Sequence, residues 1–152
     1  MCQAAPPSLI LEQWARHDYA RARLRAILRA FWRCLRGRCN ELMAYSAARG
    51  RVRVTGQHEL GLQTVDVHAI KGTMGRTADF DSEFAPRSGR AQARWVRVWK
   101  AFYRQQPLPP VELYKVGDDY FVKDGHHRIS VARQQKQDFI EAIVIEVDAA
   151  PR

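Results

Sequence analysis

The fold is decided by residues 111–147, which read VELYKVGDDYFVKDGHHRISVARQQKQDFIEAIVIEV. Between Val111 and Val116 apolar and polar side chains alternate, which is the pattern of a half-buried strand. Gly117-Asp118-Asp119 is typical of a tight turn, and Tyr120-Phe121-Val122 predicts the strand that returns beside the first. This part of the chain therefore predicts a β-hairpin.

A strand-to-helix junction follows the hairpin. Asp124-Gly125-His126-His127-Arg128 opens a helix that is predicted to run to about Gln135, and the β-branched residues between Phe139 and Val147 predict a last strand. A hairpin, a helix and a strand in this order predict an α+β fold, in which helices pack around a small mixed sheet.

The junction also has the chemistry of an anion site. Gly125 removes a side chain where the backbone turns, so a ligand can approach the main chain, and the first N–H groups of a helix lack partners within the helix. His126, His127 and Arg128 add side-chain donors, and a guanidinium can hold a phosphate with two parallel hydrogen bonds. Asp124 is interpreted as a helix cap, as a group that orients a histidine, or as a metal ligand. Two adjacent histidines rarely reach one ion, so no metal site formed by the protein alone is predicted.

The first third of the chain is strongly basic. Residues 1–54 contain eleven arginines and three acids, so they carry +8 of the net charge of +9 of the 152 residues. We therefore divide the chain into a basic helical extension over 1–54 and a domain over 55–152. Such a charge favours an anionic partner, above all DNA. No apolar run is long enough to span a membrane and no signal peptide is seen, so a cytoplasmic location is expected.

Within the extension, apolar residues recur at helical spacing between Leu9 and Leu35, and Gly37 is a plausible stop. The apolar stripe of this helix consists of Leu24, Ile27, Leu28, Phe31, Trp32 and Leu35. Arginines fill the other face, and a second short helix is predicted from Asn40 to Arg49. Two arrangements stay open: the stripe packs on the domain and the arginines are solvated, or the arginine face binds a polyanion such as DNA.

The middle of the chain gives weaker patterns. Alternation from Gln63 to Ala69 predicts a strand, and the glycines in residues 72–76 predict a loop. Phe80 to Phe84 is predicted to form one turn of helix. Residues 87–104 contain six basic residues and no acid, and they predict a helix whose apolar face is formed by Ala91, Trp95, Val98 and Phe102.

These patterns resemble the ParB/sulfiredoxin superfamily over about residues 63–147. In sulfiredoxins a proline-led strand and a hairpin precede a Gly-Cys-His-Arg box that opens a helix, and ParB proteins have a Gly-Glu-Arg-Arg box at the same place. The corresponding residues here are Gly125-His126-His127-Arg128, after Asp124. Gly75-Arg76 followed by Phe80-Asp81 resembles the Pro-Arg…Phe-Asp segment of ParB proteins. The resemblance implies a nucleotide-binding domain in which Gly75, Arg76 and residues 124–128 contact the nucleotide.

This sequence departs from both family patterns. His126 stands where sulfiredoxins have their cysteine, so the thiol nucleophile is missing and sulfiredoxin activity is excluded. The chain ends at Arg152, without the helix-turn-helix and dimerisation regions of ParB proteins. We therefore expect a ParB-like module rather than a full chromosome-partitioning protein.

Three functions follow as expectations. The first is a ParB-like nucleotide-binding protein that takes CTP or ATP, with or without Mg²⁺, and acts as a DNA-associated or regulatory module. The second is a small-molecule kinase or nucleotidase, because an Asp-Gly-His-x-Arg box is similar to that of free-serine kinases on this fold; its general base would come from Asp79, Asp81 or Glu83. The third is a binding module with a vestigial nucleotide site. No catalytic residue is assigned.

Overall fold

A computed structural model describes residues 6–38, 40–75 and 78–151 of the chain. Within these residues the α-helices are α1 (Ser8–Leu35), α2 (Tyr45–Gly50), α3 (Gln92–Tyr103) and α4 (His126–Gln134). The strands are β1 (Met43–Ala44), β2 (Val52–Asp66), β3 (Ile70–Thr73), β4 (Val111–Val116), β5 (Asp119–Asp124) and β6 (Phe139–Pro151). They form one mixed sheet in the order β1-β3-β5-β4-β6-β2. The α+β fold predicted from the sequence is confirmed.

The C-terminal third has the predicted arrangement. Strands β4 and β5 form the antiparallel hairpin, closed by Gly117 with a φ of +61°, and β6 lies parallel to β4. Val111 and Leu113 point from β4 into the main core, where they meet Ile129 of α4 and Val144 of β6. The hairpin and the last strand therefore share the sheet, and α4 packs against it.

Strand β2 is longer than the sequence predicted. It begins at Val52 rather than near Gln63 and pairs antiparallel with the whole of β6. Its first half is exposed at the sheet edge, so it lacks the buried apolar alternation by which a strand is recognised. The strand predicted to continue to Ala69 is interrupted after β2, because the Asp66 carboxylate accepts from the His68 N–H at 2.7 Å and closes a 3-10 turn.

The turn of helix predicted for Phe80 to Phe84 is wrong. The segment is a tight loop around the buried side chain of Asp81, whose Oδ1 accepts from the backbone N–H groups of Glu83 (3.0 Å) and Ala85 (2.8 Å). An aspartate that bonds nearby backbone groups competes with helix formation. Phe84 has a φ of +58° in this loop, and its ring is fully buried below the Arg133 guanidinium, 5.0 Å from the ring centroid.

Helix α1 lies against the body with the face that the sequence analysis did not favour. Its buried residues are Leu11, Ala15, Tyr19, Ala22 and Ala26. Leu11, Ala15 and Tyr19 belong to a second core with Trp95 and Trp99 of α3. The apolar stripe predicted as the packing face is exposed, so the arrangement in which that stripe packs on the domain is wrong. No helix among the described residues is long and apolar enough to cross a membrane.

Polar contacts fix α1 in this position. Both Nε and Nη2 of Arg29 donate to Asp81 Oδ2, at 3.0 and 2.8 Å, and the Tyr19 hydroxyl donates to the Ser88 carbonyl at 2.5 Å. Asp18 accepts from the Trp99 indole N–H at 2.9 Å. The arginine side of the helix is therefore partly bound to the protein itself. The predicted extension over 1–54 is also tied to the sheet, because β1 pairs in parallel with β3.

Candidate anion-binding site

The junction between β5 and α4 requires a glycine. Gly125, the N-cap of α4, has a φ of +105°, a conformation that L side chains rarely adopt. A Cβ built on it would lie 2.5 Å from Cγ1 of Val111 and 3.2 Å from Nε of Arg128. The backbone therefore turns sharply between two packed neighbours and places His126, His127 and Arg128 in the first turn of the helix.

The start of α4 is electropositive. The first turn contains two histidines and an arginine and no acid, and the glycine N-cap provides no side chain to cap it. The backbone dipoles of a helix add partial positive charge at this end, which attracts anions. The helix terminus and the side chains of the predicted box thus favour the same kind of ligand.

The two segments that carry the sequence resemblance meet at this point. Thr73, at the end of β3, is buried, and its hydroxyl is 2.6 Å from Nε2 of the buried His126. The Gly75 N–H donates to the same hydroxyl at 3.2 Å. Phe80 stacks on the His126 ring at 5.9 Å and meets the His127 ring edge-on at 5.4 Å. Gly75 and Phe80 are therefore neighbours of the helix start; Arg76, also predicted to contact nucleotide, lies outside the described residues.

The Arg128 side chain is already engaged within the protein. Its Nη1 donates to the carbonyl oxygens of Pro109 and Pro110, the latter at 2.8 Å, and its Nη2 donates to Asp124 Oδ2 at 2.6 Å. Only 14% of the side chain is exposed. Arg128 thus fastens the segment before β4 to the start of α4, a role that the sequence did not indicate. Its contact with a phosphate stays a prediction.

A basic cleft of about 340 Å³ opens between α3 and the start of α4. Arg94 and Arg97 of α3 line one side, and Lys123 together with residues 124–128 lines the other. Both arginines are exposed, and neither forms an ion pair with another residue in the described part of the chain. Lys123 is paired with Glu112 at 2.8 Å, which raises the pKa of its amino group. We call this concave surface the basic cleft.

Arg94 and Arg97 were not selected from the sequence as site residues. Their spacing of three carried a signal, since it places both on one helix face, while Trp95 and Trp99 point into the second core. The sequence could not show that this face is turned towards Gly125, because that depends on how α3 packs against α4.

A larger cleft of about 570 Å³ shares Arg128 with the basic cleft. Its walls are mainly apolar and carry several side-chain amides; they include Trp99, Tyr103, Pro110, Gln105 and Gln137. The rings of Trp99 and Tyr103 are stacked, with centroids 5.3 Å apart. We call this surface the aromatic cleft, and Arg128 stands where the two clefts adjoin.

The acids proposed as a general base have structural partners. Asp81 is fully buried and bound to Arg29 and two backbone N–H groups, and Glu83 accepts from Arg133 at 2.9 Å. Burial lowers the pKa of the Arg133 guanidinium, and the carboxylates of Glu83 and Asp81 oppose this effect. Among the described residues, no group of three or more histidines, cysteines and acids is placed to hold a metal ion. The geometry therefore offers neither Asp81 nor Glu83 as a ready proton acceptor.

The comparison with solved structures finds sulfiredoxin from Arabidopsis thaliana. The match has a TM-score of 0.42 at 14% sequence identity and covers 55% of this chain and 82% of the sulfiredoxin chain. No protein-family model and no curated protein matches the chain.

Proposed function

We propose that this protein binds a nucleoside triphosphate, CTP or ATP, and holds its phosphates in the basic cleft. The observation that carries the proposal is the approach of Arg94 and Arg97 from α3 to the start of α4. Two guanidinium groups from a separate helix, together with His127 and the backbone of the first turn, can surround a phosphate chain from two sides. Mg²⁺ on the phosphates can supply further positive charge, because Arg94 and Arg97 offset only part of the charge of a triphosphate.

The aromatic cleft is the proposed place for the nucleoside. Its volume lies within the range of roughly 300–1,000 Å³ that is usual for small-molecule sites. Tyr103 offers a ring for stacking, and Gln105 and Gln137 carry donors and acceptors of the kind that recognise base edges. Because both clefts include Arg128, one ligand can occupy them together. Arg128 would then lie between its base and its phosphates.

We further propose that nucleotide binding serves a DNA-associated role, as in a ParB-like module. The support is the positive charge: the chain carries +9, and the α3 region exposes Arg90 and Arg104 in addition to the arginines of the basic cleft. The arginines of α1 support it less than the sequence suggested, because Arg29 is bound to Asp81. Fluorescence anisotropy with duplex DNA tests this role, and affinity should fall steeply as salt rises. An affinity that is absent, or insensitive to salt, would remove DNA from the proposal.

Isothermal titration calorimetry with CTP, ATP and inorganic tripolyphosphate tests the nucleotide site. Arg94→Ala and Arg97→Ala should each weaken binding of all three ligands by roughly 10- to 150-fold, since one charge-assisted hydrogen bond is worth about 1.5–3 kcal/mol. Arg104→Ala is the matched control: it removes the same charge from an exposed position just after α3 and outside the cleft. It should leave the affinities unchanged.

A second variant separates the two clefts. Tyr103→Ala should weaken CTP or ATP by about tenfold and leave tripolyphosphate unaffected, because stacking on a base is worth about 1–3 kcal/mol. Its melting temperature must be measured as well, since Tyr103 also stacks on Trp99. If none of the three ligands produces a saturable heat signal, the proposed function is wrong. If Arg97→Ala and Arg104→Ala weaken binding equally, the ligand is held by general charge and not by the basic cleft.

A further inference from the structure

The outward face of α1 carries an apolar ridge. The side chains that form it are between 50% and 65% exposed; they are Leu24, Ile27, Leu28, Phe31, Trp32 and Leu35. They fall within twelve consecutive residues, which is about 17 Å of helix at 1.5 Å per residue. Isolated apolar side chains are common on protein surfaces, but a continuous group of this kind marks a surface that binds something.

The ridge is surrounded by arginine. From Tyr19 to Asn40 the chain has seven arginines and no acid. Arg29 is bound to Asp81 on the body, whereas Arg21, Arg36 and Arg38 are exposed. The surface thus combines large apolar side chains with uncompensated positive charge. A partner has to be apolar where it meets the ridge and anionic at its margins.

This combination discriminates between the candidate occupants. A second copy of the chain would bring arginines of one α1 next to arginines of the other, with no acid in this part of the helix to pair with them. DNA matches the arginines but offers no apolar surface for Phe31, Trp32 and their neighbours. The surface of a bilayer with anionic phospholipids satisfies both requirements, because acyl chains lie directly below the phosphate groups.

We propose that α1 is an in-plane membrane-binding helix that docks this domain on a bilayer containing anionic phospholipids. The ridge enters the boundary between headgroups and acyl chains, and Arg21, Arg36 and Arg38 contact lipid phosphates. The proposal concerns a different surface from the two clefts and does not rest on nucleotide binding.

The opposite face of α1 packs against the body and fixes the orientation of the helix. Tyr19 and Ala22 are buried against the body, and the ion pair between Arg29 and Asp81 fixes the same face further along. An amphipathic peptide in water must fold when it meets a membrane and loses conformational entropy in doing so. Here the helix is already folded and oriented, so the ridge can insert without a rearrangement of the domain.

Co-sedimentation of the full-length protein with vesicles tests the proposal. Vesicles of equal parts phosphatidylglycerol and phosphatidylcholine should bind the protein, and pure phosphatidylcholine vesicles should bind it at least about tenfold more weakly. Leu28→Gln/Phe31→Gln should reduce binding to the anionic vesicles by about tenfold or more, because two of the apolar anchors are lost. Leu62→Gln is the matched control, since Leu62 is 63% exposed but lies on β2, and it should bind as the unmodified protein does.

Two further measurements complete the test: how deeply Trp32 inserts into the bilayer, and the oligomeric state of the protein. Lipids brominated in the acyl chains should quench tryptophan fluorescence, and Trp32→Phe should remove most of that quenching. The proposal is overturned if anionic vesicles fail to bind, if Leu28→Gln/Phe31→Gln binds as well as the Leu62→Gln control, or if neutral vesicles bind equally. It is also overturned if light scattering shows a dimer that hides the ridge and is dissociated by Leu28→Gln/Phe31→Gln. The proposal is overturned as well if the ridge binds an acidic protein while the chain binds no vesicles.

Discussion

Replacing Gly125 by alanine tests how tightly the candidate site is built into the fold. Gly125 combines a φ of +105° with close neighbours on two sides. The new Cβ would lie 2.5 Å from Cγ1 and 2.9 Å from Cβ of Val111, distances at which one group has to move. Val111 is fully buried at the start of β4, so it has little freedom to give way.

The expected cost has two parts. A residue with a side chain held in a sparsely populated backbone region costs about 1–3 kcal/mol. Overpacking of a filled core costs about 1–3 kcal/mol more. Gly125→Ala should therefore lower the free energy of unfolding by about 2–6 kcal/mol. For a chain of this length the middle of that range corresponds to a fall in melting temperature of about 10 °C.

Two other glycines serve as controls that isolate each part. Gly117 has a φ of +61° and open space around the position of a Cβ, so Gly117→Ala should show only the backbone cost, about 1–2 kcal/mol. Gly50 has neither feature, and Gly50→Ala should leave stability unchanged or slightly raised. Urea denaturation followed by circular dichroism measures all three. If Gly125→Ala is no more destabilising than Gly117→Ala, the close packing between Gly125 and Val111 is refuted.

Three further predictions concern other parts of the structure. Asp81→Ala should lower the free energy of unfolding in urea by about 3–5 kcal/mol. The loss should exceed that of Arg29→Ala, because Asp81→Ala also leaves two backbone N–H groups of the loop without an acceptor. Equal losses in the two variants would contradict this. Burial raises the pKa of the Tyr19 hydroxyl above that of an unfolded tyrosine, which is about 10. The stabilisation from the buried neutral hydroxyl is therefore complete below that pH. It is lost as the pH rises through the pKa of the folded state. Tyr19→Phe should remove that alkaline loss from pH-dependent melting curves, and an unchanged curve would contradict the assignment. Arg128→Ala should reduce nucleotide affinity by about tenfold or more. It should also lower the melting temperature, because the guanidinium binds the Pro109 and Pro110 carbonyls. Loss of affinity without loss of stability would show that these internal contacts do not stabilise the fold.

The C-terminal third could be predicted because its contacts are local in sequence. The strand alternation of residues 111–116, the turn at Gly117 and the glycine before α4 all act between neighbours along the chain. The edge strand β2 could not, because it is held by backbone pairing with β6, more than seventy residues away, and its side chains are largely exposed. The loop around Asp81 was missed for a related reason: the partner of its carboxylate is Arg29, which lies 52 positions earlier.

Helix α1 shows why size alone misleads about a packing face. The largest apolar side chains mark the outward face, while three of the five buried positions are alanines: Ala15, Ala22 and Ala26. Small residues let a helix approach a surface that already carries bulky side chains; at Ala15 those side chains are Trp95 and Trp99 of α3. The volume of this second core thus comes mainly from α3, a fact that the α1 sequence does not contain. The sequence likewise places Arg94 and Arg97 on one face of α3. It does not show that this face forms one wall of a cleft, because the other wall is the start of α4.

One loop lies between the basic cleft and the buried face of α1, the face opposite the apolar ridge. Phe80 packs against the rings of His126 and His127 at the basic cleft, and the next residue, Asp81, holds Arg29 of α1. Insertion of the ridge requires no rearrangement of the domain, so lipid and nucleotide binding are coupled only if the bound membrane displaces α1 and, through Arg29 and Asp81, moves Phe80. Arg29, Asp81 and Phe80 thus form a contact route between α1 and the start of α4. If the route is used, the coupling is reciprocal: the factor by which lipid changes nucleotide affinity must equal the factor by which nucleotide changes lipid affinity. Asp81→Asn, which keeps the shape but weakens the bond to Arg29, should then reduce both factors together.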